Sequence, residues 1–61
     1  MVQLTAKELS ALSDQLDAEK LAISKLKMYA SGTQDQELKT RFEDIAAKHC
    51  EHFDKLYALL G

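Results

Sequence analysis

Hydrophobic side chains recur every three or four residues along two segments of this 61-residue chain, the spacing of one face of an α-helix. In the first segment these positions are Leu9, Leu12, Leu16, Glu19, Ile23, Leu26 and Ala30. In the second segment they are Leu38, Phe42, Ile45, His49, His52, Leu56 and Leu59. The pattern predicts two amphipathic helices, whose apolar stripes are interrupted only by one carboxylate and two imidazoles.

The first helix has recognisable signals at both ends. Thr5 and Glu8 have the spacing of a capping box, in which each side chain satisfies a free backbone N–H of the other residue. Ser31 and Gly32 end the stripe, and glycine is suited to the left-handed conformation of a helix C-cap. We therefore expect helix one at about residues 5–31.

The break between the two segments is short and carries its own helix-start signals. Thr33 with Gln36 offers a second capping box, while Asp35 is a competing N-cap residue. Helix two is therefore expected at about residues 35–60. Because only a few residues connect the helices, they should pack as antiparallel neighbours in a single helical hairpin domain, residues 1–61.

A single hairpin covers each apolar stripe on one side only. Further apolar residues flank the stripes, namely Ala22, Tyr29, Ala46, Phe53 and Leu60. They widen each stripe beyond that of a two-stranded coiled coil. A chain this small also buries a modest fraction of its surface, and its single cysteine cannot form an internal disulfide. We therefore expect a homodimer in which two hairpins form an all-α four-helix bundle.

Charged side chains are interleaved along the whole sequence. There are 8 basic and 10 acidic residues, and the net charge is −2 at pH 7. Interleaving is typical of solvated helix faces and argues against a nucleic-acid-binding patch. We also expect no membrane span and no signal peptide, because no apolar run has the required length. A cytoplasmic location fits the lone Cys50, which is typical of a reducing compartment.

Glu19, His49 and His52 are the residues with candidate chemistry. If Ala30 lies opposite Leu38, antiparallel pairing places Glu19 and His49 in one layer and His52 one turn away. Such groups lower stability unless they are partnered. Two interpretations are equally open. The three residues are ligands of a transition metal ion, zinc or iron, or they form a metal-free polar layer that determines register and oligomeric state.

A hairpin with an inward Glu19 and an inward i,i+3 pair ending in His52 resembles half of a ferritin-like bundle, such as that of rubrerythrins. Those families hold two metal ions with a Glu from one helix and a Glu-x-x-His pair from the next. His49 stands where the family has a glutamate, which makes ferroxidase chemistry doubtful and favours zinc, copper, nickel or a single iron. The segment from Leu38 to Leu60, with its Lys-His-Cys-Glu-His-Phe run, also resembles small helical proteins related to spore coat protein F.

These resemblances imply a small self-associating ferritin-like protein with a structural or spore-coat role and an inter-helix metal site. The alternative is a metal-binding or redox protein with rubrerythrin-type chemistry. No nucleophile, base and orienting group can be combined, and no Gly-rich loop offers amides to a phosphate. A structural role is therefore favoured over an enzyme, and any small-molecule substrate is left open.

Overall fold

The computed structural model describes residues 3–61, which form two long antiparallel helices joined by a short connection. Helix α1 spans Ala6–Gly32 and helix α2 spans Gln36–Tyr57. A 3-10 turn follows at Ala58–Leu60, so the last turn expected in helix two is tightened and not α-helical. The hairpin is 46 Å long, and the described residues contain no strand. The predicted all-α hairpin is confirmed.

Side chains cap the start of both helices. In α1 the predicted capping box is present: the Glu8 N–H donates to Thr5 Oγ1 at 3.1 Å, and the Thr5 N–H donates to Glu8 Oε1 at 3.0 Å. Of the two start signals considered for α2, Asp35 is the N-cap, and its Oδ1 accepts from the N–H groups of Glu37 and Leu38. These caps satisfy N–H groups that have no partner within the helix. The helix starts are therefore determined by short stretches of sequence.

The end of α1 differs from the expectation of a left-handed glycine. Gly32 is the last helical residue, and Gly61 is the only described residue with a positive φ. The chain leaves the helix at Thr33, which is extended and whose N–H donates to the carbonyl oxygen of Tyr29 at 3.1 Å. Thr33 Oγ1 then accepts from the Asp35 N–H at 3.2 Å. Because these bonds turn the chain through extended residues, no left-handed residue is required.

Helix α2 packs on α1 through a different row of residues from the one predicted. The buried and half-buried residues of α2 are Lys39, Phe42, Ala46, His49, Cys50, Phe53 and Leu56. Five residues predicted to face inward are exposed in the hairpin, namely Leu9, Leu38, Ile45, His52 and Leu59. Both rows contain Phe42, His49 and Leu56. Between these shared positions, the predicted row has Ile45 and His52, whereas the observed row has the next residues, Ala46 and Phe53. Consecutive residues lie about 100° apart around a helix. The spacing alone therefore predicted the helix but selected the wrong one of two overlapping rows.

The apolar core of the hairpin is small. The buried apolar residues in the described part of the chain are Leu12, Leu16, Ala30 and Ala46. No large side chain among residues 3–61 is fully enclosed. The hairpin therefore leaves much of its apolar surface uncovered, including the row of α2 that contains Leu38 and Ile45.

Neither described helix is both long enough and apolar enough to cross a membrane.

Candidate functional site

Glu19 lies between the two helices near the middle of α1. It is 6% exposed and is the only buried polar or charged residue in the described part of the chain. Its Oε2 lies 2.5 Å from His49 Nδ1 on α2. The predicted pairing of Glu19 with His49 is therefore confirmed, and a carboxylate and an imidazole bridge the helices at the centre of the hairpin.

The second carboxylate oxygen of Glu19 is also partnered. Gln15, one turn earlier on α1, donates from Nε2 to Glu19 Oε1 at 3.2 Å. His52 Nδ1 lies 3.6 Å from the same oxygen, which is too long for a hydrogen bond but close enough for electrostatic attraction. Among the described residues, no buried side-chain nitrogen or oxygen lacks a hydrogen-bond partner. The buried charge is thus compensated within one chain.

These contacts favour the ionised form of Glu19. The hydrogen bond with His49 holds the pKa of the Glu19 carboxyl below its ordinary value, although burial opposes this shift. The Gln15 hydrogen bond and the attraction to both histidines act in the lowering direction. Glu19 is therefore a carboxylate at neutral pH and can only accept hydrogen bonds. The hydrogen of this bond must then be on His49 Nδ1, because a carboxylate has none to donate.

The two histidines differ in exposure. The His49 side chain is 35% exposed and lies at the edge of the helix contact, whereas the His52 side chain is 70% exposed at the rim. Within the single hairpin, the prediction that His52 faces α1 is therefore wrong, because α2 turns its Ala46 and Phe53 row toward α1. Both imidazoles line a shallow surface groove together with Ile45, Lys48, Glu51 and Lys55.

The geometry within one hairpin is that of a hydrogen-bonded layer. Among residues 3–61, no group of three or more His, Cys, Asp or Glu side chains is arranged to hold a metal ion. Two ligand atoms on one tetrahedral zinc lie about 3.3 Å apart, given bonds of about 2.0–2.1 Å. Because Glu19 Oε2 and His49 Nδ1 are 2.5 Å apart, these atoms cannot share an ion without moving apart. The binding of one metal ion by Glu19, His49 and His52 therefore stays a prediction.

The carboxylate-rich dinuclear centre of ferritin-like proteins does not fit these residues. Each hairpin supplies one inward carboxylate, Glu19, and both of its oxygens already have partners. His49 occupies the position at which a second bridging carboxylate would be needed. The donor set is dominated by nitrogen, which suits zinc, nickel or copper better than a carboxylate-bridged iron pair.

Gln15 is a member of the site that the stripe analysis did not identify. It precedes Glu19 by four residues, and side chains at this spacing meet on the surface of a helix. The i,i+4 relation was therefore the available signal. Gln15 was overlooked because it lies beside the apolar stripe and not within it.

No family model matches this chain, and neither a curated protein nor a solved structure shows significant similarity to it. The ferritin-like and coat-protein resemblances therefore stay predictions from the sequence pattern.

Proposed function

We propose that this chain is a structural protein that acts by self-association, with two hairpins pairing through one apolar face to form a four-helix bundle. The observation that carries the proposal is the exposed row of α2, in which Leu38 and Ile45 lie outside the contact with α1. A structural role also agrees with the resemblance to small coat-related proteins.

The exposed area of the hairpin supports a partner of about its own size. The chain exposes 4944 Å², whereas a folded monomer of 6.9 kDa exposes about 4,000 Å². The excess of about 900 Å² is close to the roughly 800 Å² that each partner buries in a standard protein interface. One interface would therefore give each hairpin the exposed area of an ordinary folded protein.

One side of the hairpin is suited to this contact, and we call it the Ile45 face. It consists of Gln15, Ala22 and Tyr29 on α1 and Leu38, Ile45 and His52 on α2. At one end, the Tyr29 ring lies 5.7 Å from the Phe42 ring between centroids. At the other end, Gln15 and His52 line the same groove. Residues seven apart lie on the same side of a helix, so the three residues on each helix form one row. The contacts at the two ends therefore place the α1 row and the α2 row on the same side of the hairpin.

Charged residues also lie on the opposite side of the hairpin. Its groove is lined by Lys27, Lys39 and Glu43 beside small side chains, and the half-buried Cys50 lies there as well. Covering that side would remove charged groups from water without giving each one a partner. The six residues of the Ile45 face include no Lys, Arg, Asp or Glu, and the charged side chains of the groove beside Ile45, namely Lys48, Glu51 and Lys55, border this face.

A second copy of the chain is the partner that best fits the Ile45 face. In a twofold dimer the same patch lies on both sides of the interface, so a charged residue near the twofold axis approaches its own copy. The six residues of the Ile45 face include no Lys, Arg, Asp or Glu, so these residues can meet their copies without repulsion between like charges, while Lys48, Glu51 and Lys55 border the contact. The neighbouring Glu19–His49 layer would favour one register of this contact, as buried polar layers do in coiled coils.

Sedimentation equilibrium of the untagged full chain in the presence of EDTA tests the proposal. We expect a dimer at micromolar concentration for wild type. The variant Ile45→Glu should be monomeric, because it places a carboxylate in the interface. Leu21→Glu is the matched control, since Leu21 is 56% exposed on the side of α1 that faces away from α2.

Circular dichroism shows whether each variant keeps its helices. A monomeric wild type, or a control that dissociates as readily as Ile45→Glu, would contradict the proposed face.

A further inference from the structure

The imidazoles of His49 and His52 both turn Nδ1 toward Glu19. The Nδ1 atoms lie 2.5 Å and 3.6 Å from the two carboxylate oxygens. Because the two nitrogens of an imidazole point in divergent directions, each Nε2 is directed away from the carboxylate. Both rings line the groove that contains Ile45. We therefore expect the Nε2 atoms on the side of the hairpin that includes the Ile45 face.

A carboxylate that accepts from Nδ1–H is a frequent partner of histidines that bind metals through Nε2. It holds the tautomer with the lone pair on Nε2, orients the ring and raises its basicity as a ligand. Glu19 is well placed for this role, because it is 6% exposed and is itself oriented by Gln15. His49 receives this support directly, and His52 would receive it after a shift of less than 1 Å toward Glu19 Oε1.

We infer that two copies of the chain share one transition-metal site of the zinc class. The site is formed by Nε2 of His49 and His52 from each copy, and this inference rests on the proposed dimer. Two histidines three residues apart on a helix can bind one ion, with bonds of about 2.0–2.1 Å to zinc. One hairpin supplies two of these ligands, so the site is incomplete without the second copy. Glu19 is a positioning residue in this arrangement and not a ligand.

The charges around the groove moderate the affinity of this site. Lys48 and Lys55 line it and repel a cation, whereas Glu51 attracts one. Long lysine side chains can extend into solvent and keep their ammonium groups away from the ion. Lys48→Gln should therefore leave zinc binding unchanged or strengthen it. This variant is a useful control because it changes the groove without removing a ligand.

Calorimetric titration of the untagged full chain with zinc chloride tests the site. We expect saturable binding of one zinc per two chains. His52→Gln should abolish saturable binding, and Glu19→Gln should weaken it about 10–100-fold, as expected for the partner of a ligating histidine. Weak uptake without saturation that His52→Gln does not change would mean an adventitious ion only and would overturn the inference.

The histidine ¹⁵N spectrum distinguishes a positioning role of Glu19 from a purely structural one. In wild type, zinc should perturb the Nε2 signals of His49 and His52, while Nδ1 of His49 keeps its hydrogen. The same spectrum before zinc should show His49 with hydrogen on Nδ1. A zinc-induced change at Nδ1, or unchanged affinity in a folded Glu19→Gln variant, would overturn the positioning role.

Sedimentation with EDTA and with zinc separates this inference from the proposed function. A dimer in EDTA that takes up no stoichiometric zinc would leave the self-association intact and overturn the shared site. A monomer in EDTA that dimerises with zinc would support the shared site and contradict association through apolar contacts alone. A monomer under both conditions would overturn both.

Discussion

Replacing Ile45 with alanine should weaken the dimer without weakening the hairpin. Complete burial of an isoleucine side chain contributes about 1.5–3 kcal/mol. Ile45 is 44% exposed in the hairpin, so covering that fraction contributes about 0.7–1.3 kcal/mol per chain. A dimer contains two copies, and alanine retains the β-carbon, so the loss should be roughly 1–2 kcal/mol per dimer. This corresponds to a Kd that is about 5–30 times higher.

The assay is sedimentation equilibrium of wild type and Ile45→Ala over a range of concentrations in EDTA. Alanine has a higher helix propensity than isoleucine, so the helix content of the monomer should not fall. Leu21→Ala is the matched control, because Leu21 is 56% exposed. It lies away from the Ile45 face and from the contact between α1 and α2, which we call the seam. The reasoning is refuted if Ile45→Ala leaves Kd unchanged, or if Leu21→Ala raises it equally.

Two further predictions concern the contact between α1 and α2. Folding lowers the pKa of Glu19, so the ionised carboxylate should stabilise wild type relative to Glu19→Gln at pH values above 4.5, the ordinary pKa of a glutamate. This advantage should disappear as the pH falls through the lowered pKa of Glu19. Urea unfolding of both proteins at several acidic pH values measures the difference in their free energies of unfolding. A difference that does not change with pH would count against a stabilising role of ionised Glu19. Ala46→Leu should lower the free energy of unfolding by about 1–3 kcal/mol, because Ala46 is 5% exposed in the seam. Ala47→Leu, at the neighbouring exposed position, should change it by less than about 0.5 kcal/mol, and equal effects would show that close packing at Ala46 is not required.

Local sequence determined where the helices begin and which layer contains the buried charge. The Thr5–Glu8 capping box and the Asp35 N-cap each involve residues within three positions of one another, so no tertiary contact is needed to specify them. The pairing of Glu19 with His49 followed from counting residues outward from a short connection. In an antiparallel hairpin, equal distances from the turn place residues opposite each other.

The tertiary structure decided which side of α2 faces α1. The rows through Ile45 and Ala46 have the same period and share Phe42 and His49, so periodicity cannot distinguish them. Packing distinguishes them because a small residue such as Ala46 lets two helix backbones approach closely, and a larger side chain at the centre of the seam would hold them apart. The resulting rotation moves His52 to the rim, where its exposure depends on what else the hairpin contacts.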